Sequence, residues 1–284
     1  MDSKIVKRQI WIPVGELEQA FDKKSNVLPQ SRSLEGTPLR LFFENGRVVD
    51  HRFEASNRLL WREASHGRSP PWTEERYLAN EVRKGIFFVD FIKHLDRATT
   101  VTLILDLNRG IFTAIAGQLP TRKEAKESLL DRAEARKELT SVQAHLVSGS
   151  INKPYQEGKT PRHESTEELI GKRVVYTYSP TECYEHVYLN SSFYTWHCLA
   201  GAERTDGVGL ADTDRCHYFK LGENLYLFSW QEKIIPTLGV AIVDLEKMRS
   251  SGKIFGYEGN DFRRLSNFPI GSKARVLGQI HRQG

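Results

Sequence analysis

The chain reads twice, and this constrains its fold more than any other feature. Leu34-Glu35-Gly36 returns as Leu169-Ile170-Gly171, 135 residues later. At the same offset His51 meets His186, Phe53 meets Tyr188 and Trp61 meets Trp196. The second copy then gains four residues, so that Arg76 meets Arg215, Phe87 meets Tyr226 and Phe91 meets Trp230 at an offset of 139. Asp106-Leu107 and Asp244-Leu245 follow at 138. Each match is weak alone, but a collinear series is the mark of a tandem duplication. The chain must therefore build one unit two times.

Each unit reads as strands. In the second copy, segments 173–178, 184–189, 193–199, 217–221, 225–232, 239–244 and 253–257 are short and rich in aromatic and β-branched residues. Ser179-Pro180, Asn190-Ser191-Ser192, Gly222-Glu223-Asn224 and Ser251-Gly252 supply turn chemistry between them. In the first copy, segments 39–44, 48–53, 58–63, 76–82, 86–92, 99–106 and 111–116 repeat the pattern, and Asn45-Gly46 is a hairpin signal. Strands at intervals of about ten residues predict an all-β chain of two tandem up-and-down antiparallel barrels. The expected division is a first barrel over 1–120, a charged helical linker over 121–165 and a second barrel over 166–284. Segment 122–136 is made of strong helix formers with a narrow apolar stripe and predicts a surface helix; 153–162 predicts an exposed linker.

Composition excludes several classes. With 39% hydrophobic and 27% charged residues the chain is ordinary for a globular protein. It contains no apolar run of about 18 residues, and Met1-Asp2-Ser3-Lys4 does not begin a signal pattern, so no membrane span is expected and the location is expected to be cytoplasmic. Cys183, Cys198 and Cys216 form no CxxC and are expected to be free thiols. The net charge of +5 and pI near 9.0 would suit nucleic acid, but the basic residues are scattered among acids, as in Lys123-Glu124-Ala125-Lys126-Glu127, and no nucleic-acid partner is expected.

In a barrel of about eight strands the inward faces decide function, because they either pack solid or enclose one small ligand. "NLYLFSWQEK" places Tyr226, Phe228, Trp230 and Glu232 on one face of a strand. A carboxylate that ends an aromatic face is costly to bury unless it is paired. Tyr184, His186 and Tyr188 share a face of another strand, and Tyr194, Trp196 and Cys198 share a face of a third. Phenols and an imidazole on one face suit a pocket for a polar aromatic ligand; the alternative places that face on the wet exterior. Cys183, His186, His197, Cys198, Cys216 and His217 lack zinc-ligand spacing, so no metal is expected. Gly207-Val208-Gly209 has no following helix and there is no GxSxG, so neither a nucleotide cofactor nor a serine nucleophile is expected. What remains is acid–base chemistry without a cofactor.

The segments "LIGKRVVYTYS", "YEHVYLN", "YTWHCLAGAER", "ADTD", "YLFSWQEK" and "PTLGVAIVDLEKMRSSGKIFGYEG" resemble the C-terminal region of MoaF proteins, and "LEGTPLRLFFENG" with "FFVDF" resembles their N-terminal region. That resemblance, over most of residues 30–260, implies tandem lipocalin-like, calycin-type barrels. The second copy is also similar to phenolic acid decarboxylases, single lipocalin-like barrels without a cofactor. This similarity implies that Tyr184 and His186 stand where that family has two substrate-orienting tyrosines. It implies likewise that Arg204, ten residues after Tyr194, joins them in orienting a substrate, and that Glu232 in "SWQE" handles a proton. His186 in place of a tyrosine, and Gln231 and Lys233 beside Glu232, depart from that pattern.

The expected catalytic residues are thus Glu232, His186, Tyr184 and Arg204, with Tyr188, Tyr194, Trp196, Tyr226, Phe228 and Trp230 lining a ligand pocket. Lys93 stands in the first copy where the second has Glu232, which assigns any chemistry to the second barrel. Three readings compete: a cofactor-independent lyase, isomerase or cyclase for a small aromatic or conjugated substrate; a carrier of a small hydrophobic ligand; and a structural protein whose barrels are filled, with no cavity of about 300 Å³ or more. A homodimer is compatible with all three.

Overall fold

The computed structural model describes residues 11–21, 26–64, 70–201, 207–260 and 262–279. Sixteen described strands form two closed barrels of eight, each with neighbours in sequence order. The first barrel comprises β1 (Pro38–Phe43), β2 (Val48–Glu54), β3 (Arg58–Glu63), β4 (Thr73–Arg83), β5 (Ile86–Lys93), β6 (Thr99–Asp106), β7 (Ile111–Gln118) and β8 (Gln143–Ile151). The second comprises β9 (Lys172–Thr177), β10 (Cys183–Tyr188), β11 (Phe193–Ala200), β12 (Ala211–Gly222), β13 (Leu225–Glu232), β14 (Thr237–Asp244), β15 (Arg249–Tyr257) and β16 (Leu265–Gln279). β8 closes onto β1, and β16 onto β9, both antiparallel. Closure removes the free sheet edges that an open sheet would expose. The all-β tandem-barrel expectation holds.

The duplicated residues do the same work twice. Gly36 and Gly171 both take positive φ (77° and 82°), and their N–H groups donate to the carbonyls of the duplicate pair Phe53 and Tyr188 at 2.7 and 2.8 Å. Leu34 and Leu169 before them are fully buried. Only a residue without a Cβ enters that conformation at no cost, which explains the repeated glycine. Asp106 and Asp244 also match: each carboxylate accepts the backbone N–H three residues on, from Arg109 at 3.1 Å and Lys247 at 2.9 Å, and so shapes the hairpin after its strand.

Seven strands of each barrel were legible; the eighth was not. β8 falls inside the segment expected to be a linker, so the first barrel does not end at residue 120 but takes its closing strand from 143–151. Gly149 and the half-exposed alternation of "QAHLVSGSI" weaken its strand signal. In β16, Pro269, Gly271 and Gly278 read as breakers. The single charged helix is also corrected. Two short helices stand there, α2 (Arg122–Ala125) and α3 (Leu129–Glu134). Thr121 and Glu124 form a capping box on α2, and the Ser128 side chain accepts from Asp131 N at 3.0 Å, starting a new helix rather than continuing the old one.

The barrels pack back to back through their outer faces. Val82, Ile86, Phe88, Ile104 and Ile115 of the first join Leu225, Leu227, Leu238, Val240, Ile242 and Phe255 of the second in one buried cluster. Within this contact the Lys253 ammonium, almost fully buried, pairs with Asp90 at 2.6 Å and bonds to Thr100. Asp90 also accepts from Thr102 at 2.9 Å and from Asn267 at 2.6 Å, so the buried charges are fully partnered. Burial pushes the Lys253 pKa down, against the opposing pull of Asp90. At the rim Arg83 clasps Asp244 at 2.7 Å, and Tyr257 Oη donates to Pro120 O at 2.7 Å.

The N-terminal segment lies on the second barrel, not the first as the expected division had it. A short helix, α1 (Val14–Ala20), packs on β15 and β16 across the mouth. Added Cβ atoms at Gly15 and Gly256 would overlap the Glu258 backbone and Val14, so both glycines are required by close approach. Asn26 then anchors the chain to Tyr178 O at 2.9 Å before it crosses to Asn80 of the first barrel.

Candidate active site in the second barrel

The mouth of the second barrel holds a cavity of about 80 Å³. Tyr184, His186, Tyr194, Trp196, Trp230 and Glu232 line it from β10, β11 and β13. Alternation along the strands puts them there: Tyr184 and His186 are two apart on β10, Tyr194 and Trp196 two apart on β11, and Trp230 and Glu232 two apart on β13. Trp11, Ile12, Leu17 and Phe21 close the space from above. Trp11 meets Trp196 edge to face at 6.0 Å, and Phe21 meets Tyr178 at 5.2 Å. The volume is below the roughly 300 Å³ of a drug-sized ligand site. The chain's own N-terminal side chains occupy the mouth, and Tyr176, Tyr188, Tyr218 and Phe228 fill the barrel beneath, so the volume is the one expected of the third reading, a filled barrel.

Three other sequence-named residues lie elsewhere. Tyr188 and Phe228 pack beneath the cavity, fully buried, with Tyr188 Oη 2.6 Å from Tyr176 Oη. Tyr226 is buried in the same core, and its hydroxyl donates to Glu168 at 2.7 Å, where Lys220 also pairs with Glu168. Arg204 lies outside the described residues. Phe193, Thr195, His197 and Leu199 take the other face of β11; His197 faces outward toward Glu185, which Arg173 clasps at 2.6 Å.

Glu232 is enclosed. Trp230 Nε1 donates to Glu232 Oε1 at 3.0 Å, and burial followed by the nearby Asp214 charge pushes its pKa up to about 8. Gly239 makes the Trp230 position available, since a Cβ there would overlap the indole. Asp214 is the partner that sequence reasoning missed. Its side chain is 1% exposed and accepts from Trp196 Nε1 at 2.9 Å and from Lys233 N at 3.2 Å. Lys233 Nζ lies 3.4 Å from Asp214, bonds to Asp212 and donates to Thr213 O at 2.6 Å. Burial raises the Asp214 pKa as well, while Lys233 opposes. Two neighbouring carboxyls cannot both ionise cheaply. Asp214 has the ammonium, the amide and the indole donor; Glu232 has one indole. The charge therefore stays on Asp214 and the proton on Glu232.

Extending the strand read at 217–221 back to 211 would have placed Asp212, Asp214, Cys216 and Tyr218 on one face. "ADTDR" lacks the β-branched and aromatic density that marks a strand, which hid it.

His186 is a neutral base in an aromatic cage. The rings of Tyr176, Tyr194, Phe228, Tyr188 and Trp230 stand 4.7 to 6.2 Å from it, and Nδ1 has no hydrogen-bond partner. Burial drives its pKa down to about 3. Its duplicate His51 is likewise buried, with a pKa of about 4 and an unpartnered Nδ1. Tyr184 Oη donates to Glu182 at 3.2 Å, and burial holds the phenols of Tyr184 and Tyr194 well above their usual range. The cavity thus sets a protonated carboxyl, able to give and regain a proton near neutrality, beside a neutral imidazole that accepts hydrogen bonds but stays unprotonated there.

The model of the MoaF N-terminal domain matches residues 9–121, and that of the MoaF C-terminal domain matches residues 163–280. A curated relative, Protein MoaF of Klebsiella aerogenes, is 38% identical over 274 residues, 96% of this chain and 98% of the relative. Among solved structures, a putative beta-lactamase from Burkholderia vietnamiensis aligns over 40% of this chain and 100% of its own, with 13% identity and a TM-score of 0.33.

Proposed function

The chain belongs to the MoaF family, and from that premise we propose that its second barrel is a cofactor-independent acid–base site for a small aromatic or conjugated molecule. One observation carries this reading: Glu232, half-buried at the end of an aromatic wall, takes a hydrogen bond from Trp230 Nε1 and lies near the charge of Asp214, and desolvation pushes its pKa up to about 8. A carboxyl poised there can protonate a carbonyl or enol oxygen in one step and recover the proton in the next. His186, neutral and with a free Nδ1, offers the complementary acceptor. Tyr184 and Tyr194 orient the ring, and Trp196 and Trp230 stack against it. The reaction class is a proton shift or elimination, that of an isomerase, cyclase or lyase.

The N-terminal side chains must yield for a full ring to enter, since the closed cavity holds only a few heavy atoms. Such closure excludes water once the ligand is in place. A carrier function uses the same cavity without turnover, and the small closed volume favours it where the native ligand is compact.

Native mass spectrometry of the freshly purified chain tests the reading. A small molecule that co-purifies, and is lost in Trp230→Ala, supports it. A bare protein that also fails to bind any member of a panel of small phenols and enones counts against both the enzyme and the carrier.

A further inference from the structure

The charge around the cavity says more about the ligand than its aromatic walls do. Asp214 sits behind Trp196 with its negative charge fixed by three donors, and Asp212 adds a second carboxylate on the same strand. Among the described residues the lining holds no lysine or arginine, and Lys233, next to Glu232, is turned onto those two aspartates and Thr213 O. A negative charge entering here would meet like charge in a low-dielectric space, and would find as its donor a carboxylic acid able to lose its own proton. A neutral carbonyl meets a donor that matches it.

We propose that this cavity selects uncharged molecules bearing a hydrogen-bond-accepting oxygen, such as ketones and enones, and rejects carboxylates. The inference rests on the acid–base site described above. Glu232 donates to the ligand oxygen, and His186 accepts from a hydroxyl or an acidic C–H across the ring. The groups that face Glu232 are Asp214 and Asp212 from β12, Lys233 beside it, Tyr194 from β11, and Tyr184 and His186 from β10; the N-terminal helix presents only Leu17 to the cavity. As pH rises through the Glu232 titration the donor is lost, and affinity for a neutral acceptor falls with it.

Acetophenone and benzoate test this directly, because they share a shape and differ in charge. Calorimetric titration of the full chain, and of Trp11→Ala to widen the mouth, is expected to show acetophenone binding at least about tenfold tighter than benzoate at pH 7. Acetophenone affinity should decline above pH 8, and Glu232→Gln, which keeps a donor at every pH, should remove that decline. Benzoate binding as tightly as acetophenone overturns the proposal while leaving the ligand site intact, and loss of that binding in Arg204→Ala would identify the cation responsible. If neither probe binds either protein, the ligand-site reading itself falls, and this inference with it.

Discussion

Trp230 and Glu232, two residues apart on β13, are joined by an indole N–H that donates to the carboxyl at 3.0 Å. The aromatic face of this strand therefore does not simply end in an acid; it holds that acid in place. In the first barrel the same two positions are Phe91 and Lys93, and Lys93 lies 5.0 Å over the ring of Trp61, the duplicate of Trp196. One duplicated frame thus carries a half-buried acid in one copy and a cation over an aromatic ring in the other.

Glu232→Gln keeps the shape and the indole contact but removes the titrating group. Ligand binding at neutral pH is expected to stay near wild type, while any turnover falls by about 10²–10⁴-fold. The stability consequence has a definite sign. The folded pKa is raised to about 8 from 4.5, so the native state holds the extra proton between those values and stability declines as pH rises through that window. Thermal melts should show the variant gaining on wild type from pH 5 to pH 9.

The buried histidines act at the other end of the scale. His51 and His186 are held near pKa 4 and 3, so the unfolded chain takes up protons from about pH 6.5 downward and the folded chain does not. Stability from these groups is lost as pH falls through that range. His51→Phe and His186→Phe should each lose less stability than wild type between pH 7 and pH 4 in urea titrations; equal losses would place the acid sensitivity elsewhere.

The inter-barrel ion pair gives a test of the back-to-back packing. Lys253→Met leaves Asp90 buried without its cation and should cost about 3–5 kcal/mol. The double variant Lys253→Met/Asp90→Asn removes the unpaired charge, keeps one amide oxygen as acceptor for Thr102 and offers its N–H to the unpartnered Oδ1 of Asn267 if that amide turns over, and should recover most of that loss. Solvent-separated barrels would show neither effect.

The cap over the mouth is held by close backbone approach. Gly15→Ala forces a Cβ into the Glu258 backbone, an overpacking expected to cost about 1–3 kcal/mol. Because the strain falls on the N-terminal helix, acrylamide quenching of the cavity tryptophans should increase while the β-sheet circular dichroism stays unchanged.

Much of this was legible before any coordinates. Collinear pairs such as His51 with His186 and Trp61 with Trp196 carried the duplication, and both pairs sit in equivalent cross-strand register. Alternation grouped Tyr184 with His186, Tyr194 with Trp196 and Trp230 with Glu232 on shared faces, but left open whether those faces point inward. Three things were hidden. The closing strands carry Gly and Pro, and packing against two neighbours overrides their weak propensity. Asp214 sat in a polar strand whose partners are known only once the barrel closes. The cap comes from residues that precede the first barrel in sequence but lie on the second, a long-range docking with no local signal.

The protonation state of Glu232 is the claim on which the rest depends. Carbon-13 NMR of the chain labelled at glutamate side-chain carboxyls, compared with Glu232→Gln to assign the signal, reads it directly. The carboxyl should remain protonated at pH 7 and titrate with a midpoint near 8. A midpoint in the ordinary range between 4 and 5 would mean that Glu232 is a solvated carboxylate at the rim, and the acid–base site would not exist.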